Sequence, residues 1–298
     1  MSGYTITQPI YYVQYIAPHT MSLMLVKRII AQYRTRYQNV VIAELEDFGK
    51  ALILDGIIQS TQFDEYIYHE SLVHPAMVTH GSPRRVLILG SGEGASIREV
   101  LKWRSVDEVH AVDIDEELIM LVKEHLREFH EGSYDDPRVK VFFRDAGEYV
   151  AEGAVKGEKF DVVIMDLTDP YGPEVGAKLY SREVFRNVER MLNDGGAFVI
   201  QAGSEALFKD AYVKVLKEVS SVFNLVREYS VWVPSFSYAE SFIMASLGRD
   251  PLRLTAEEVN KTLSENLVKS LRFYNGEVHE ALMKLSIYGK VGFRLGFT

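Results

Sequence analysis

Acidic side chains stand at the ends of several apolar runs in this sequence. Glu93, Asp113, Asp145 and Asp166 each follow such a run, and Asp169 comes three residues after Asp166. Apolar runs of this kind predict buried parallel strands, and ligands of open α/β sheets bind beyond the carboxyl ends of the strands. Carboxylates gathered there can hold an ammonium group, and one of them can take a proton from it as a general base. The spacing therefore predicts an acidic pocket for a cationic ligand.

The first of these runs, Val86 to Leu89, leads into a turn with glycines at 90, 92 and 94. Together with Ala95 the turn also satisfies the G-x-G-x-x-G/A dinucleotide fingerprint, in which the loop faces a pyrophosphate. Glu93 would repel a pyrophosphate, and no Lys or Arg follows it before Arg98. The turn therefore favours a nucleoside with positive charge, such as the sulfonium ion S-adenosylmethionine or a relative. The alternative is a purely structural turn with a solvated Glu93.

Four further strand ends carry polar groups. Asp113 lies about twenty residues beyond the glycine turn, the usual place of a ribose-binding acid. Asp145 is placed to accept a hydrogen bond from an adenine amino group, and Gln201 adds a polar side chain to the same rim. Asp166 and Asp169 surround a turn that Pro170 bounds, which predicts an acidic pocket, although an Asx-turn with two exposed acids fits the same residues.

Composition excludes several function classes. The chain has 298 residues, 47% of them hydrophobic and 25% charged, as is typical of soluble globular proteins. Its net charge of −9 argues against nucleic-acid and anionic-membrane binding and favours cationic small molecules. The absence of cysteine excludes disulfides and Cys-ligated zinc. With no secretory signal and no membrane-length apolar run, we expect a cytoplasmic protein.

A metal site is not expected. His69, Glu70 and His74 form the spacing H-E-x-x-x-H, which differs from the H-E-x-x-H spacing of the zinc-binding helix. The remaining histidines are scattered, and no G-x-S-x-G segment is present to carry a serine nucleophile.

The pattern predicts two parts of the chain with different structures. Residues 1–64 are rich in Tyr, Ile, Val and Thr, with turn signals at 47–50 and at Asp55-Gly56, which predicts a small β-rich domain. Residues 65–298 alternate strand and helix patterns, which predicts an α/β domain with a mainly parallel sheet. Helix starts are expected near 64, 115 and 255. Strands are expected at 86–89, 109–113, 139–143, 162–165, 197–200 and 228–233, and residues 241–246 are expected to form an antiparallel edge.

Several motifs in fixed order resemble the spermidine synthase family of polyamine aminopropyltransferases. They are Leu54 to Thr61, Asp64 to Glu70, Gly90 to Gly94, and Asp166 to Pro170, and the resemblance spans nearly the whole chain. Within the family the chain is most similar to the thermospermine synthases. That similarity lies in Gly-Glu-Gly at 92–94 in place of Gly-Asp-Gly, together with the segments 166–170, 179–180, 201–203 and 233–236. The resemblance implies a Rossmann-like catalytic domain of the class I methyltransferase type behind the β-rich domain.

The resemblance also implies a role for each site residue. Decarboxylated S-adenosylmethionine would be the aminopropyl donor and co-substrate, with methylthioadenosine as product and no tightly bound cofactor or metal. The donor site would comprise Gln38, Gln59, His69, Gly90, Glu93, Asp113, Asp145 and Ala146, with Asp113 on the ribose, Asp145 on adenine and Glu93 on the propylamine. Asp166 would be the catalytic base, with Tyr68 and Gln201 orienting the attacking amine, and Asp169 would bind an ammonium group.

The acceptor amine is implied by a departure from the family pattern. Phe236 stands where the spermidine synthase pattern has Tyr, and loss of that hydroxyl weighs against putrescine and for spermidine, with thermospermine as product. Glu174 is a further candidate partner of a distal ammonium. The alternatives are a spermidine synthase or agmatine aminopropyltransferase, an S-adenosylmethionine-dependent methyltransferase, a non-catalytic polyamine-binding protein and an oxidoreductase. The resemblance also implies a homo-oligomer, either a dimer or a tetramer.

Overall fold

A computed structural model describes residues 9–171 and 178–285 of the chain. Within these residues the protein has two β-sheets, one of five strands and one of seven. Helices flank only the second sheet, so the first stands as an all-β unit at the N-terminal end of the sequence. The predicted combination of a β-rich segment and an α/β segment is confirmed. No helix in the described ranges combines the length and the apolar character needed to cross a bilayer.

The N-terminal sheet is an antiparallel meander in which each strand pairs with the next along the chain. Its strands are β1 (Ile10–Ala17), β2 (Thr20–Arg34), β3 (Asn39–Leu45), β4 (Gly49–Leu54) and β5 (Ile57–Thr61). The turn between β4 and β5 has positive φ at both central residues, 48° at Asp55 and 80° at Gly56. Such a turn matches the twist of antiparallel strands, which is why an Asp-Gly pair predicts a hairpin here.

The second sheet follows the order β11-β12-β10-β9-β6-β7-β8. Its strands are β6 (Arg85–Leu89), β7 (Glu108–Asp113), β8 (Val139–Phe143), β9 (Phe160–Met165), β10 (Leu192–Gln201), β11 (Val226–Val233) and β12 (Tyr238–Ser246). The five strands β10, β9, β6, β7 and β8 run parallel, whereas β12 pairs antiparallel with β10 on one side and with β11 on the other. After β6 the chain forms β7 and β8 on one side of that strand, and it then returns to form β9 on the other side. The gap beyond β6 and β9 is therefore the topological switch point at which α/β sheets bind ligands.

The helices that cover this sheet are α1 (Glu65–His80), α2 (Ala95–Leu101), α3 (Glu116–His125), α4 (Arg127–His130), α5 (Ala146–Lys156), α6 (Arg182–Met191), α7 (Lys209–Ser220), α8 (Ala256–Glu265) and α9 (Gly276–Lys284). The predicted helix starts are confirmed. Asp115 accepts from the Leu118 backbone N–H at the start of α3, and Thr255 forms a capping box with Glu258 at the start of α8.

The expectation that residues 241–246 form the edge of the sheet was wrong. Strand β12 lies between β10 and β11 and is antiparallel to both, so β11 is the edge. Burial agrees with this order: Ser241 to Ser246 are all buried, as expected for a strand covered on both sides, whereas in β11 the buried residues alternate with partly or fully exposed ones.

The His-Glu segment of α1 serves packing in this structure. The Glu70 carboxylate accepts the backbone N–H groups of Arg272, Phe273 and Tyr274, and so ties α1 to the segment before α9. His74 lies between Glu99 and the indole N–H of Trp103, at 3.0 and 3.1 Å. Both side chains therefore satisfy buried polar groups within the core.

Candidate active site

A cavity of about 470 Å³ opens at the switch point, between the N-terminal sheet and the carboxyl ends of the parallel strands. Both sheets contribute to its wall. Of the predicted site residues that the structure describes, all except His69 line it: Gln38, Gln59, Tyr68, Gly90, Glu93, Asp113, Asp145, Ala146, Asp166, Asp169, Gln201 and Phe236. The volume lies in the range of small-molecule sites.

Gly90 brings the glycine turn against the strand end that carries Asp166. Its φ is +84°, and a Cβ built there would lie 2.0 Å from the backbone oxygen of Asp166. The Gly90 N–H bonds to the Val112 oxygen of β7, and the Asp166 N–H bonds to the Leu89 oxygen of β6. Only glycine fits this position, because any side chain would push the two loops apart.

Asp113 fixes the shape of the glycine turn. Its Oδ2 accepts the backbone N–H groups of Ser91 and Gly92 at 2.9 and 3.0 Å, and its Oδ1 accepts that of Asp115 at 2.9 Å. Burial raises the pKa of Asp113, against the lowering effect of these three bonds. The carboxylate keeps further lone pairs toward the cavity, where hydroxyl groups of a ribose can donate to it.

The N-terminal sheet is joined to this end of the cavity through Asp115. Gln38 Nε2 and the Thr35 hydroxyl both donate to Asp115 Oδ2, at 2.9 and 2.7 Å. Gln59 also lines the cavity, and its amide donates to the backbone oxygen of Ile57 at 3.2 Å. Gln38 and Gln59 therefore reach the cavity from the first sheet, although the sequence does not place them beside the strand ends of the second.

Asp145 and Ala146 form the end of the cavity beyond β8. Asp145 Oδ1 caps α5 by accepting the Glu148 N–H at 2.9 Å. The neighbouring wall is apolar and includes Val112, Ile114, Leu118 and Leu179. An apolar slot with a carboxylate at its rim suits a flat base that donates from an amino group.

A buried histidine, His69, is paired with Glu93. His69 lies between two carboxylates, with Nδ1 3.1 Å from Glu65 Oε2 and Nε2 3.1 Å from Glu93 Oε1. Burial alone would lower the pKa of His69, but the hydrogen bonds to Glu65 and Glu93 raise it to about 10. The ring is therefore protonated at neutral pH and donates to Glu93. His69 acts on the cavity through Glu93 and does not line it.

Asp166 is a partly buried carboxylate in the cavity wall. The Tyr68 hydroxyl donates to its Oδ1 at 2.6 Å, and the Ser96 hydroxyl donates to its Oδ2 at 2.8 Å. Burial raises the pKa of Asp166, His69 opposes the rise, and Glu93 adds to it. Two fixed hydrogen bonds and a raised pKa are the properties of a positioned general base.

Gln201 positions Asp169. Its Nε2 donates to Asp169 Oδ1 at 2.7 Å and to the Leu167 oxygen at 3.2 Å, while its Oε1 accepts the Gly203 N–H at 2.8 Å. Gln201 thus contacts Asp169 and makes no hydrogen bond to Asp166. Burial raises the pKa of Asp169. Glu174 lies outside the described residues.

Phe236 forms an apolar part of the wall beside Tyr68, with ring centroids 5.9 Å apart. The short turn that carries it is anchored because the Ser235 N–H and hydroxyl donate to Asp64, at 2.7 and 2.9 Å. Tyr238 packs against the other side of Phe236, at 5.6 Å. The position of the ring is therefore set by contacts on both sides.

Two family models match the chain. Residues 65–251 match the spermine/spermidine synthase domain, and residues 10–62 match the spermidine synthase tetramerisation domain. The chain belongs to the spermine/spermidine synthase family. Membership of this family makes the protein an aminopropyltransferase, as its motifs predicted.

Curated relatives and solved structures agree with this assignment. The aminopropyltransferase is 51% identical to polyamine aminopropyltransferase 1 of Hyperthermus butylicus, over 87% of this chain and 89% of that one. It is 47% identical to the polyamine aminopropyltransferase of Pyrobaculum neutrophilum, over 95% and 97%. A spermidine synthase in complex with the transition-state analogue AdoDATO superposes with a TM-score of 0.86 at 30% identity, over 95% of both chains. The spermidine synthase of Thermotoga maritima gives 0.84 at 30% identity, over 95% and 94%.

Several polar residues of this aminopropyltransferase site were not predicted as site residues, among them Ser96, Asp115, Tyr238 and Glu240. Ser96 and Asp115 touch the predicted residues Asp166 and Gln38, while Tyr238 and Glu240 line the cavity from β12. Glu240 did leave a signal in the sequence, because it is the only acid in the apolar and small-residue run of β12. The sequence indicated Asp115 as a helix cap, but no pattern indicated that it also accepts hydrogen bonds from Thr35 and Gln38.

Proposed function

We propose that the protein transfers the aminopropyl group of decarboxylated S-adenosylmethionine to spermidine and forms thermospermine and methylthioadenosine. The observation that carries this proposal is that two carboxylates in different environments, Glu93 and Asp166, line the same cavity. Glu93 is paired with a protonated histidine, and Asp166 is partly buried, with a raised pKa and two hydroxyl donors. Glu93 therefore suits an ammonium group that is bound without reacting, and Asp166 suits an ammonium group that must lose its proton.

The donor would lie along the edge of the sheet from β8 to β9. Asp113 would accept from the ribose hydroxyls, and Asp145 would accept from the adenine amino group above the apolar slot beside Ala146. Gln38 and Gln59 would close the site from the N-terminal sheet. Glu93 would take the propylamine, which places the sulfonium and its adjacent carbon between Glu93 and Asp166. A similar spermidine synthase has been solved in complex with the transition-state analogue AdoDATO, which supports aminopropyl transfer by this chain.

Asp166 would start the reaction by removing a proton from the acceptor ammonium, because a protonated amine has no lone pair with which to attack. The free amine then attacks the carbon next to the sulfonium. A C–N bond forms as the C–S bond breaks, and the bonding pair leaves with sulfur as the neutral thioether methylthioadenosine. Tyr68 and Ser96 keep the carboxylate aimed throughout, and holding both partners in line supplies much of the rate.

The rate should fall at acid pH as this base becomes protonated. Since burial raises the pKa of Asp166, the carboxylate binds a proton above the usual aspartate value of about 3.9. Activity is therefore fully present above the raised pKa and is lost as pH falls through it. We expect kcat, measured at saturating donor and amine, to decline tenfold per pH unit below an inflection above pH 4. A profile that stays flat down to pH 4 would remove Asp166 from the base role.

The acceptor preference can be tested at Phe236. An apolar ring offers a wall for a methylene chain, whereas a tyrosine hydroxyl would help to fix a short diamine, and polar pairing discriminates more steeply than one extra methylene. We expect wild-type kcat/KM to rank spermidine above putrescine and agmatine. Phe236→Tyr should move the spermidine to putrescine ratio toward putrescine by about tenfold, near the worth of one hydrogen bond. Phe63→Tyr, at an exposed position outside the cavity, is the matched control. A wild-type preference for a diamine of tenfold or more would reject spermidine as the acceptor.

We also propose that the N-terminal sheet joins copies of the chain. Three apolar pairs face solvent across β1 and β2: Tyr11 with Leu25, Val13 with Leu23, and Tyr15 with Met21. Exposed apolar patches of this kind mark interaction surfaces, and the match to a tetramerisation domain supports self-association here.

This surface gives a direct test. We expect the wild-type protein to sediment as a dimer or tetramer and the Val13→Glu, Leu23→Glu double variant to sediment as a smaller species, because buried unpaired charges oppose association. Val155→Glu, at an exposed apolar residue of α5, is the control and should keep the wild-type mass. A double variant with unchanged mass would place the interface elsewhere.

A further inference from the structure

Glu240 is a buried carboxyl group with one unpaired oxygen. It lies on β12 with 1% of its surface exposed, and it lines the cavity. Its Oε1 is fully buried, and no hydrogen bond from the described residues reaches that atom. A buried polar atom left unpaired is destabilising. Such a group is expected where a ligand completes it.

The position of Glu240 puts it at the acceptor end of the cavity. Tyr238 and Glu240 are two residues apart on one strand and so face the same side, beside Phe236. The next residue, Ser241, is hydrogen-bonded to Ala202 and Gly203, which directly follow Gln201. Since Gln201 holds Asp169, the Asp169 and Glu240 carboxyl groups belong to neighbouring positions of the wall.

The surroundings of Glu240 are acidic. Burial raises its pKa well above the usual range, and Asp169 and then Asp166 raise it further. A cation that arrives beside this carboxyl group would oppose these effects and favour its ionised form. A cation is the ligand that satisfies both the free oxygen and the crowding of negative charge.

The number of carboxyl groups indicates which cation the cavity fits. When the reacting nitrogen of the acceptor is neutral, a diamine has one ammonium left and a triamine has two. Beyond the proposed base Asp166, the described residues at the acceptor end of the cavity offer two carboxyl groups, Asp169 and Glu240. We infer that Asp169 and Glu240 each bind one of the two unreacted ammonium groups of a triamine, and that Glu240 selects the triamine over a diamine. This inference rests on the proposed aminopropyl transfer to spermidine.

The test compares Glu240→Gln and Glu240→Met with the matched control Glu228→Gln. Glu228 is an exposed acid on the adjacent strand β11, outside the cavity. Each protein is assayed for kcat/KM with spermidine and with putrescine at saturating decarboxylated S-adenosylmethionine. We expect both Glu240 variants to lose about 10- to 100-fold more with spermidine than with putrescine, the range for a hydrogen bond to a charged group. Glu228→Gln should keep the wild-type ratio.

Thermal unfolding separates a binding role from a structural one. Glu240→Met removes a buried carboxyl group that has an unpaired oxygen, so its unfolding midpoint should equal or exceed that of the wild type while its use of spermidine falls. A lower midpoint with an unchanged ratio between the two amines would make Glu240 a structural residue and overturn the inference. Equal losses with both amines would also overturn it. Failure of the proposed function would be seen separately, in a wild-type enzyme that prefers putrescine.

Discussion

Replacing Asp166 by Asn is expected to lower kcat by about 10²- to 10⁴-fold, the usual effect of losing a general base. Asn has the same shape but cannot take a proton. The packing should survive, because the Tyr68 hydroxyl can still donate to the amide oxygen and the Ser96 hydroxyl can rotate to accept from the amide nitrogen. The loss should therefore appear in kcat, measured at saturating donor and amine, with donor affinity close to that of the wild type.

The matched control for this variant lies on the same strand. Asp161 is near the other end of β9, where it accepts the backbone N–H groups of Arg84 and Arg85 away from the cavity. Asp161→Asn should cost stability and leave kcat within about threefold, as expected for a change outside a catalytic site. Near-normal turnover of Asp166→Asn would assign the base to another group.

The second large effect is discrimination between two donors. Intact S-adenosylmethionine carries a carboxylate that the decarboxylated form lacks, and Glu93 would face it. Two bare charges about 4 Å apart repel by about 4 kcal/mol at an effective dielectric constant near 20, which corresponds to about a thousandfold in affinity. His69 is protonated and 3.1 Å from Glu93, so it offsets part of this repulsion. We expect calorimetry to give roughly hundredfold tighter binding of the decarboxylated donor.

Two variants test whether Glu93 causes this difference. Glu93→Gln removes the charge and should bring the two affinities to within about tenfold, because the repulsive charge is gone. Asp145→Asn acts at the proposed adenine end, which both donors share, so it should weaken both by the same factor. Equal affinity of the wild-type protein for the two donors would contradict the role given to Glu93.

The strand ends were predictable because one geometric rule governs them. Parallel strands present their carboxyl ends at one edge, so acids that follow successive apolar runs must converge. Glu93, Asp113, Asp145 and Asp166 obey this rule, and all four line the same cavity. The requirement for glycine at 90 follows from the same convergence, since its Cα lies against the Asp166 backbone.

The partners of these acids were not predictable, because they depend on tertiary contacts between distant segments. Ser96 reaches Asp166 only because α2 begins directly beside the switch point. His69 precedes Glu93 by 24 residues, and nothing in its local sequence indicates that two carboxylates enclose it.

Strand β12 shows the same limit for the sheet. Its pattern indicated a strand, but its place between β10 and β11 depends on a pairing register that local pattern does not encode. Because β12 was expected at the edge of the sheet, the position of Glu240 on the cavity wall could not be predicted.

The most direct test of the proposed reaction is the identity of its products. Purified protein is incubated with decarboxylated S-adenosylmethionine, labelled in the aminopropyl group, and with spermidine, and the amines are separated by chromatography and identified by mass and NMR. We expect one methylthioadenosine for each labelled thermospermine. Spermine as the sole product would contradict the site of attack on spermidine. Absence of any labelled amine, with spermidine and the other polyamines alike, would contradict aminopropyl transfer itself.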